Sequence, residues 1–319
     1  LTLWKSSERV YFFMNRSIGI AISLLALSTS AIAADIDNII TATKVERSQQ
    51  WSGFYSGINI GGAVSVADGV TSTGYSTSDW AASAEGDPYS MPPSRTGNAT
   101  VSQSGLIGGG QVGYAWKFNE IALFGFEADF QGATIQGGGS FTSVSGAYYN
   151  GHAHRQQGFV DAVAGISWLG TARGRLGYLI HPNILLFTTG GLAYGETWAN
   201  VNSISLHWHP GTEAIHPPVP VSPSYASARG LNAGWVAGAG SEWGFGKSWS
   251  IKVEGLYYDL GSQSVNGQYN FNVNPLAPGY VANVSAATTV AKYQGIIVRS
   301  GLNYHMNYDP INALSAAKD

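Results

Sequence analysis

Residues 168–196 read Trp168-Leu-Gly-Thr-Ala-Arg-Gly-Arg-Leu-Gly-Tyr-Leu-Ile180, His181-Pro-Asn183 and Ile184-Leu-Leu-Phe-Thr-Thr-Gly-Gly-Leu-Ala-Tyr-Gly-Glu196. In the first segment, residue character alternates with a period of two: polar or charged at Thr171, Arg173 and Arg175, and apolar or small at Ala172, Gly174, Leu176 and Tyr178. That period indicates a β-strand, and Pro and Asn are typical of a turn. The stretch therefore predicts a long hairpin with one charged face and one apolar face.

The composition excludes several classes of protein. Charged residues make up 11% of the 319 residues and the formal net charge is -3, whereas soluble domains usually carry about 25% charged residues. A balance so close to neutral gives no reason to expect nucleic-acid binding. The absence of cysteine excludes a disulfide framework and a thiolate metal site.

The N-terminal region has the features of a secretory signal. Basic residues precede an apolar run over 18–27, and small residues follow as far as Ala31-Ile-Ala33. This order predicts a signal peptide over 1–33 that is cleaved after Ala33. Met14 begins a shorter version of the same signal, which would place 1–13 upstream of the true start. The alternative, a membrane anchor helix, is disfavoured because the apolar run is shorter than the ~20 residues that span a bilayer.

Eight segments show strand alternation. They are Trp51–Ala63, Gly105–Phe118, Ile121–Gly132, Trp168–Ile180, Ile184–Glu196, Gly230–Phe245, Trp249–Leu260 and Ala291–Met306. Short turns follow the second, fourth and sixth segments, whereas long stretches rich in Ser, Thr, Gly, Asn and Pro follow the first, third, fifth and seventh. Such composition is typical of loops, so we expect long loops over 66–103, 133–167, 198–229 and 261–290.

The alternation of short and long connections predicts a particular architecture. In an antiparallel up-and-down barrel every second connection lies at the same end, so all short turns would lie at one end. Outer-membrane barrels have this form, with short periplasmic turns and longer external loops. Each predicted strand exceeds the ~9–11 residues that cross a bilayer at a tilt, and closure satisfies the backbone hydrogen bonds that lipid leaves unmet.

The predicted fold is therefore all-β: an eight-stranded antiparallel up-and-down transmembrane β-barrel with three short periplasmic turns and four long external loops. The barrel would cover 51–306. Residues 34–50 would form a short periplasmic N-terminal segment, and residues 307–319 a C-terminal tail.

Aromatic residues cluster near both ends of the predicted strands, as rings that meet two membrane interfaces do. Near the short turns lie Tyr114, Trp116, Tyr178, Trp243, Trp249 and Tyr304, and near the long loops lie Phe130, Trp168, Tyr194, Tyr257 and Tyr293. The alternative is a soluble barrel or sandwich with its apolar face inward, because alternation does not say which face is outside. The signal sequence, low charge, two girdles and loop asymmetry together favour lipid outside.

Several strand motifs resemble those of a known family. They are Trp51-Ser-Gly-Phe-Tyr-Ser-Gly, Gly109-Gly-Gln-Val-Gly-Tyr, Gly170-Thr-Ala-Arg-Gly-Arg-Leu-Gly-Tyr, Thr189-Gly-Gly-Leu-Ala-Tyr-Gly, Lys252-Val-Glu-Gly-Leu-Tyr-Tyr-Asp-Leu-Gly and Val298-Arg-Ser-Gly-Leu-Asn-Tyr. In this order they are similar to the strands of small OmpA-like outer-membrane barrels, the surface-antigen and porin-like barrels of Gram-negative bacteria. The resemblance covers the strands between Trp51 and Met306.

The resemblance implies an integral protein of the bacterial outer membrane that is inserted by the barrel assembly machinery. It also implies that the last strand should end the chain, because family members usually stop at its aromatic end, which acts as an assembly signal. This chain continues over 307–319. The departure leaves open whether the tail is a periplasmic extension, weakens assembly or reflects a different reading frame.

Charged residues on the polar strand faces are expected inside the barrel. They comprise four acids and four bases: Glu127, Asp129, Arg173, Arg175, Glu242, Lys252, Glu254 and Arg299. An eight-stranded barrel leaves an interior just wide enough for side chains, and buried ions must pair and hydrogen-bond. The balanced charge and narrow lumen favour a paired internal plug over the alternative, a gate or selective pore lining.

Four histidines are weak candidates for a metal site: His152, His154, His207 and His209. An H-x-H pair in extended chain puts both imidazoles on one side of the strand, where they could act as ligands of a zinc or copper ion. No acidic or thiol ligand completes the set, so we expect no metal and no cofactor.

The favoured function is non-enzymatic: an outer-membrane barrel with a structural and surface-contact role, as a surface antigen or adhesin or in envelope integrity, through external loops. One alternative is a small-solute porin with a narrow charged lumen. Another is an outer-membrane hydrolase, although no spacing of Ser and His residues singles out a catalytic triad. The expected partners are outer-membrane lipids, lipopolysaccharide and host or surface ligands, with no nucleic acid.

Overall fold

The computed structural model describes residues 51–66, 70–77, 95–149, 152–208, 219–267, 270–273 and 281–306. The predicted signal peptide, N-terminal segment and C-terminal tail lie outside the described residues. Within the described part of the chain, no helix is long and apolar enough to span a membrane.

Eleven strands make up the described structure. They are β1 (Gly53–Ser65), β2 (Val70–Thr77), β3 (Gly97–Ala99), β4 (Ser104–Lys117), β5 (Ala122–Tyr149), β6 (His152–His181), β7 (Ile184–Trp208), β8 (Val219–Phe245), β9 (Trp249–Asn266), β10 (Asn270–Val273) and β11 (Val281–His305). The long strands pair in the order β1-β4-β5-β6-β7-β8-β9-β11, every pair antiparallel, and the β1–β11 ladder closes the ring. The predicted eight-stranded up-and-down barrel is confirmed.

Three short turns lie at one end of this barrel. The side-chain oxygen of Asn119 accepts hydrogen bonds from the backbone nitrogens of Ile121 (3.0 Å) and Ala122 (2.8 Å), which shapes the β4–β5 turn. Gly246 in the β8–β9 turn has a φ of 69°, a left-handed conformation that glycine adopts without steric cost. In outer-membrane barrels such short turns face the periplasm, which orients the chain.

In the half of the barrel nearest the turns, apolar side chains point outward and polar ones inward. In β6, for example, Leu176 and Tyr178 are exposed on the outside, whereas Thr171 and Arg173 are buried inside. The same outward face includes Phe54, Ile58, Ile60, Leu106, Val112, Phe126, Leu186, Leu192, Trp235, Ile251, Val298 and Leu302. A continuous apolar outer face with polar residues inside is typical of a barrel whose outside meets lipid.

The aromatic side chains form two outer belts, with one exception to the prediction. Near the turns, Trp116 packs against Tyr114 (ring centroids 4.5 Å apart), and Trp249 packs edge-on against Tyr304 (5.0 Å); Tyr178 is exposed, and Trp243 is half-buried on the same face. Near the other end, Trp168 packs against both Phe130 and Tyr194. Tyr293 was expected in this second belt and that prediction is wrong.

Tyr293 lies inside the barrel, with no exposed surface. It shares the odd parity of Ile297 and Arg299, which are also buried. Parity along a strand decides which face a side chain occupies, so an aromatic residue of β11 at girdle height points inward when its number is odd. Trp235, on the outer face and paired with Tyr257 at 5.2 Å, takes the place in the belt.

The predicted long loops are largely strand where they are described, and that prediction is wrong. β5 and β6 continue as a paired hairpin as far as Tyr149 and His152, and β6 stays paired with β7 as far as Arg155 and Trp208. β2 pairs with β11, and β3 with β2. Above the membrane the strands pair through backbone hydrogen bonds and need no apolar outer face. Small and polar residues can therefore form strands there, although their composition is typical of loops.

Candidate functional site

All eight charged residues expected in the lumen are buried there, each with at most 7% of its surface exposed. Strands β5, β6, β8, β9 and β11 supply them, and each ladder sets neighbours at one height: Glu127 lies opposite Arg173, Glu242 opposite Lys252, and Glu254 opposite Arg299. Side chains from five strands therefore converge on the barrel axis in the half nearest the turns.

Arg173 is the centre of the larger group of ions. Its Nη2 contacts Glu127 and lies 3.0 Å from Asp129 Oδ2, and its Nη1 lies 2.9 Å from Glu254 Oε2. One guanidinium thus bridges three carboxylates. Its planar fork of five N–H donors suits such a role better than a lysine ammonium does.

Two further cations complete this group. Lys252 Nζ lies 2.8 Å from Glu127 Oε1 and 2.9 Å from Glu254 Oε1. Arg299 lies 2.7 Å from Asp129 Oδ2 through Nη2 and 2.8 Å from Glu254 Oε1 through Nε. Three carboxylates and three cations are therefore cross-linked, so that every carboxylate has at least two cationic partners, as buried charges require.

Glu242 and Arg175 form a second group, closer to the turns. They pair directly, and Arg175 also lies 3.8 Å over the ring of Phe187. Glu242 Oε1 accepts a hydrogen bond from Asn303 at 2.8 Å and another from Ser250. Arg175 Nη1 lies 3.7 Å from Glu127, which joins the two groups into one network.

The network also includes polar residues that the sequence did not single out. Tyr55 donates from its hydroxyl to Glu127 Oε2 at 2.9 Å, and Gln111 Oε1 accepts from Lys252 Nζ at 2.9 Å. His305 Nε2 lies 2.9 Å from Ser250 Oγ and 3.3 Å from Glu242 Oε1. Ser250 and His305 share the inward parity of Lys252 and Arg299 on their own strands, and that parity is the signal that identifies them. Strands β1 and β4 carry no ion of the network, so no such signal points to Tyr55 and Gln111.

A lid of apolar residues covers the network at the turn end. Trp51 is buried with Leu123, Leu179 and Leu185, and its indole N–H donates to the carbonyl of Pro182 at 2.8 Å. A small cavity lies behind the lid, lined by Trp51, Tyr55, Leu123, Arg175, Glu242 and His305. The first described residue of the barrel therefore covers its periplasmic mouth.

A third layer fills the lumen on the other side of the ions. It is apolar and fully buried, and includes Ile107, Ile135, Ile166, Leu169, Val236, Leu256, Tyr258, Leu260, Tyr293 and Ile297. Gln131 and Thr171 lie between this layer and the ions; both bond to Asp129, at 3.0 Å and 2.8 Å. Starting from the turn end, the lumen thus holds in succession a lid, an ion network and an apolar core.

The predicted histidine site is only partly described. His152 and His154 lie at the start of β6, and His207 lies on the neighbouring β7 opposite Gln156, whereas His209 is outside the described residues. Across the described part of the chain, no cluster of three or more His, Asp or Glu side chains is arranged to hold a metal ion.

Comparisons with solved structures give matches among outer-membrane barrels. OprG from Pseudomonas aeruginosa is 11% identical, with a TM-score of 0.36, and the match covers 82% of this chain and 100% of OprG. Neisserial surface protein A is 9% identical, with a TM-score of 0.28 and coverage of 80% and 98%.

Comparison by sequence gives a more specific result. A search against models of known protein families finds no match. Over 259 residues the chain is 30% identical to the 31 kDa outer-membrane immunogenic protein of Brucella melitensis. The match covers 78% of this chain and 89% of that protein. The protein of the same name from Brucella suis matches to the same extent. Together with the lipid-facing barrel, this similarity shows that the chain is an outer-membrane β-barrel that belongs to the family of the 31 kDa outer-membrane immunogenic proteins.

Proposed function

We propose that this protein is a closed barrel that acts through its external surface, in envelope integrity and surface contact, and neither conducts solutes nor catalyses a reaction. The observation that carries the proposal is the filled lumen. The Trp51 lid, the ion network and the apolar core block the axis in succession. Opening a path would require removal of paired ions and of a close-packed apolar layer, both of which are costly.

The length of the strands supports a role at the cell surface. From Trp168 at the outer girdle to His152, β6 runs about 50 Å at ~3.3 Å per residue. At a tilt of about 45°, this leaves about 35 Å of paired wall above the membrane. A wall of that height presents side chains of Ser, Thr, Asn and Tyr well beyond the lipid headgroups.

The partners we propose follow from this placement. The apolar band contacts outer-membrane lipids, and the wall above it contacts lipopolysaccharide and host or surface ligands. The barrel assembly machinery is the proposed partner during insertion. The matched Brucella protein is described as immunogenic, and an exposed wall of this height supports the same property for this chain.

The polar cluster at the turn end gives little support to a hydrolase. Ser250 and Glu242 both face the same ring nitrogen of His305, Nε2. A serine nucleophile requires its acid partner on the other ring nitrogen, so that the acid orients the histidine while the serine gives up its proton. All three residues are also buried, at 3% exposure or less, away from any substrate.

Surface labelling tests the external role. The chain has no cysteine, so single cysteines report their own accessibility. Thr142→Cys is exposed on β5 above the membrane, and Lys247→Cys is in a short turn. On intact cells, a membrane-impermeant maleimide should label Thr142→Cys and should label Lys247→Cys only after the outer membrane is permeabilised. The opposite pattern would invert the proposed orientation and remove the surface role.

Planar-bilayer conductance tests the closed lumen. The refolded mature chain should be silent, and Arg173→Ala and Glu254→Ala should be silent and less stable. Folding is checked beforehand by the heat-dependent shift in gel mobility. Steady wild-type channels whose ion selectivity changes with these substitutions would overturn the proposal and make the protein a porin lined by the network.

A further inference from the structure

The barrel wall has a discontinuity between β8 and β9. Their ladder runs from Phe245–Trp249 at the turn up to Trp235–Asp259 and ends there. Above that level, residues 229–234 of β8 pair with β7, and residues 262–266 of β9 pair with β11. Among the described residues, no ladder pair joins these two stretches, which we name the β8–β9 seam. By contrast, the β5–β6 and β6–β7 ladders continue to the tips of their strands.

A bulge in β9 lies at the lower end of the seam. Two residues, Leu260 and Gly261, oppose the single residue Tyr293 of β11, where the β9–β11 register shifts. Gly261 has a φ of 75°, and its backbone nitrogen donates to its neighbour Asp259 Oδ1 at 2.7 Å. An extra residue of this kind bends a strand and increases its local twist, so β9 turns away from β8 here.

At the level of the seam, where the described parts of β8 and β9 form no ladder with each other, side-chain contacts link β9 to the other strands. Gln263 Oε1 accepts a hydrogen bond from Thr197 Oγ1 of β7 at 3.1 Å and lies 3.5 Å from the hydroxyl of Tyr293. Its amide nitrogen lies close enough to β8 that a Cβ at Gly230 would approach it to 3.3 Å. Gln263 therefore occupies the seam and ties β9 to β7 behind β8.

The seam lies between two environments. Directly below it, Trp235 and Tyr257 mark the outer membrane interface, and directly behind it lie the buried apolar side chains Leu260 and Val265. Below that interface the ion network ties β5, β6, β8, β9 and β11 to one another, so the wall there is fixed by both ladder and ions.

We propose that the extracellular half of the barrel opens along the β8–β9 seam while the membrane half stays closed, and that Gln263 is the latch. Opening here breaks a few neutral side-chain hydrogen bonds, whereas opening between any two laddered strands breaks a row of backbone bonds. The event exposes the apolar interior at Val265 to the outside of the cell without creating a path across the membrane.

Cysteine accessibility tests the seam directly. Val265→Cys lies behind it, and Ala162→Cys is a matched control on β6, equally buried and laddered on both sides. In the folded protein, a soluble maleimide should label Val265→Cys at least tenfold faster than Ala162→Cys. Adding Gln263→Leu should speed labelling of Val265→Cys by about another tenfold, from the loss of one to two hydrogen bonds. Equal rates for both cysteines, or no effect of Gln263→Leu, would overturn the proposal.

A covalent lock provides a second measurement on a different variant. A Cβ at Gly267 would lie 3.4 Å from Ser224 Oγ, so Ser224→Cys with Gly267→Cys is placed to form a disulfide just above the seam, between β8 and the end of β9. The control is Asn200→Cys with Ser227→Cys, which joins β7 to β8 across an existing ladder. Only the seam disulfide should slow amide hydrogen exchange at residues 260–265, by tenfold or more. The same effect from both disulfides, or from neither, would contradict an opening at the seam.

Discussion

The two halves of the barrel are filled in opposite ways, although the same strands build both. In the membrane half of β6, Arg173 points inward and Leu176 points outward, whereas above the girdle Ala162 points inward and Asp161 outward. The outside is lipid in one half and water in the other. An apolar side chain gains most from leaving water, so it faces out in the membrane half and in above it.

In two strands, β6 and β9, a bulge accompanies the change from one filling to the other, whereas in β5 and β11 the inward residues keep the same parity in both halves. In β6 the inward residues of the membrane half, from Leu179 to Leu169, have odd numbers. Those of the extracellular half, from Ile166 to Val160, have even numbers, and the register shifts between Ile166 and Trp168. In β9 the inward parity changes at Gly261, between Leu260 and Val265. A one-residue insertion moves every later side chain to the other face. In a strand that carries such a bulge, the inward-facing parity therefore has to be assigned separately for each half.

The largest effect should come from the ions of the membrane half. Arg173→Ala leaves three buried carboxylates short of a cation, and removal of one partner from a buried ion pair costs about 3–5 kcal/mol. Urea unfolding in detergent micelles or lipid vesicles measures the free energy of unfolding. A decrease in the free energy of unfolding of less than about 1 kcal/mol would mean that water reaches these carboxylates. The membrane half would then not be held by buried ions, and the contrast with the apolar extracellular half would fail.

The apolar core should come next. Ile166→Ala removes a side chain that is 1% exposed above the bulge in β6, and the cavity should cost about 2–4 kcal/mol in the same unfolding measurement. Asp161→Ala, on the outward face of the same strand, is the control and should change stability by less than about 0.5 kcal/mol. If the two substitutions cost the same, the interior of the extracellular half is not a packed core.

A smaller effect is expected at the lid. Trp51→Phe keeps an aromatic ring against Leu123 and Leu185 but removes the N–H that donates to Pro182. The loss should be about 0.5–1.5 kcal/mol, the usual net value of one hydrogen bond. Trp51→Ala should cost more because it also removes the ring. Equal losses for the two variants would show that the hydrogen bond, not the packing, holds the lid.

The smallest effect should be at the ion pair outside the barrel. Arg229 Nη1 lies 3.4 Å from Glu196 Oε2, but its side chain is 65% exposed. Exposed pairs contribute about 0–1 kcal/mol and are screened by salt. Arg229→Ala should therefore change the free energy of unfolding far less than Arg173→Ala does. A loss that matches Arg173→Ala would remove burial as the explanation for the difference.

The sequence predicted the membrane half well and the extracellular half poorly, for one physical reason. Lipid outside and ions inside give strong alternation, which identified the wall strands and the inward position of residues such as Arg173 and Glu254. Above the girdle the alternation is weak. In 133–145 the inward positions mix Ile135 and Phe141 with Gly and Ser, and most outward positions are Thr, Gln, Gly or Ser. Backbone ladders there leave almost no trace in the side-chain pattern, so the sequence of these strands predicts loops. For Tyr293 the sequence predicts the wrong face, because the position of a residue along a strand does not say which face of the strand it occupies unless its parity is also considered.

By itself the sequence determined the strand period, the three turns and the set of charges that must lie within the barrel, because these depend on residues close together along the chain. Only the tertiary structure decided which ions share carboxylates, that Trp51 covers the lumen and that β8 and β9 separate above Asp259. Those features join residues that are far apart in the sequence; Arg299 and Asp129, for example, are separated by 170 positions. Their geometry follows from closure of the ring and from bulge positions, which set the stagger of strands that no local pattern encodes.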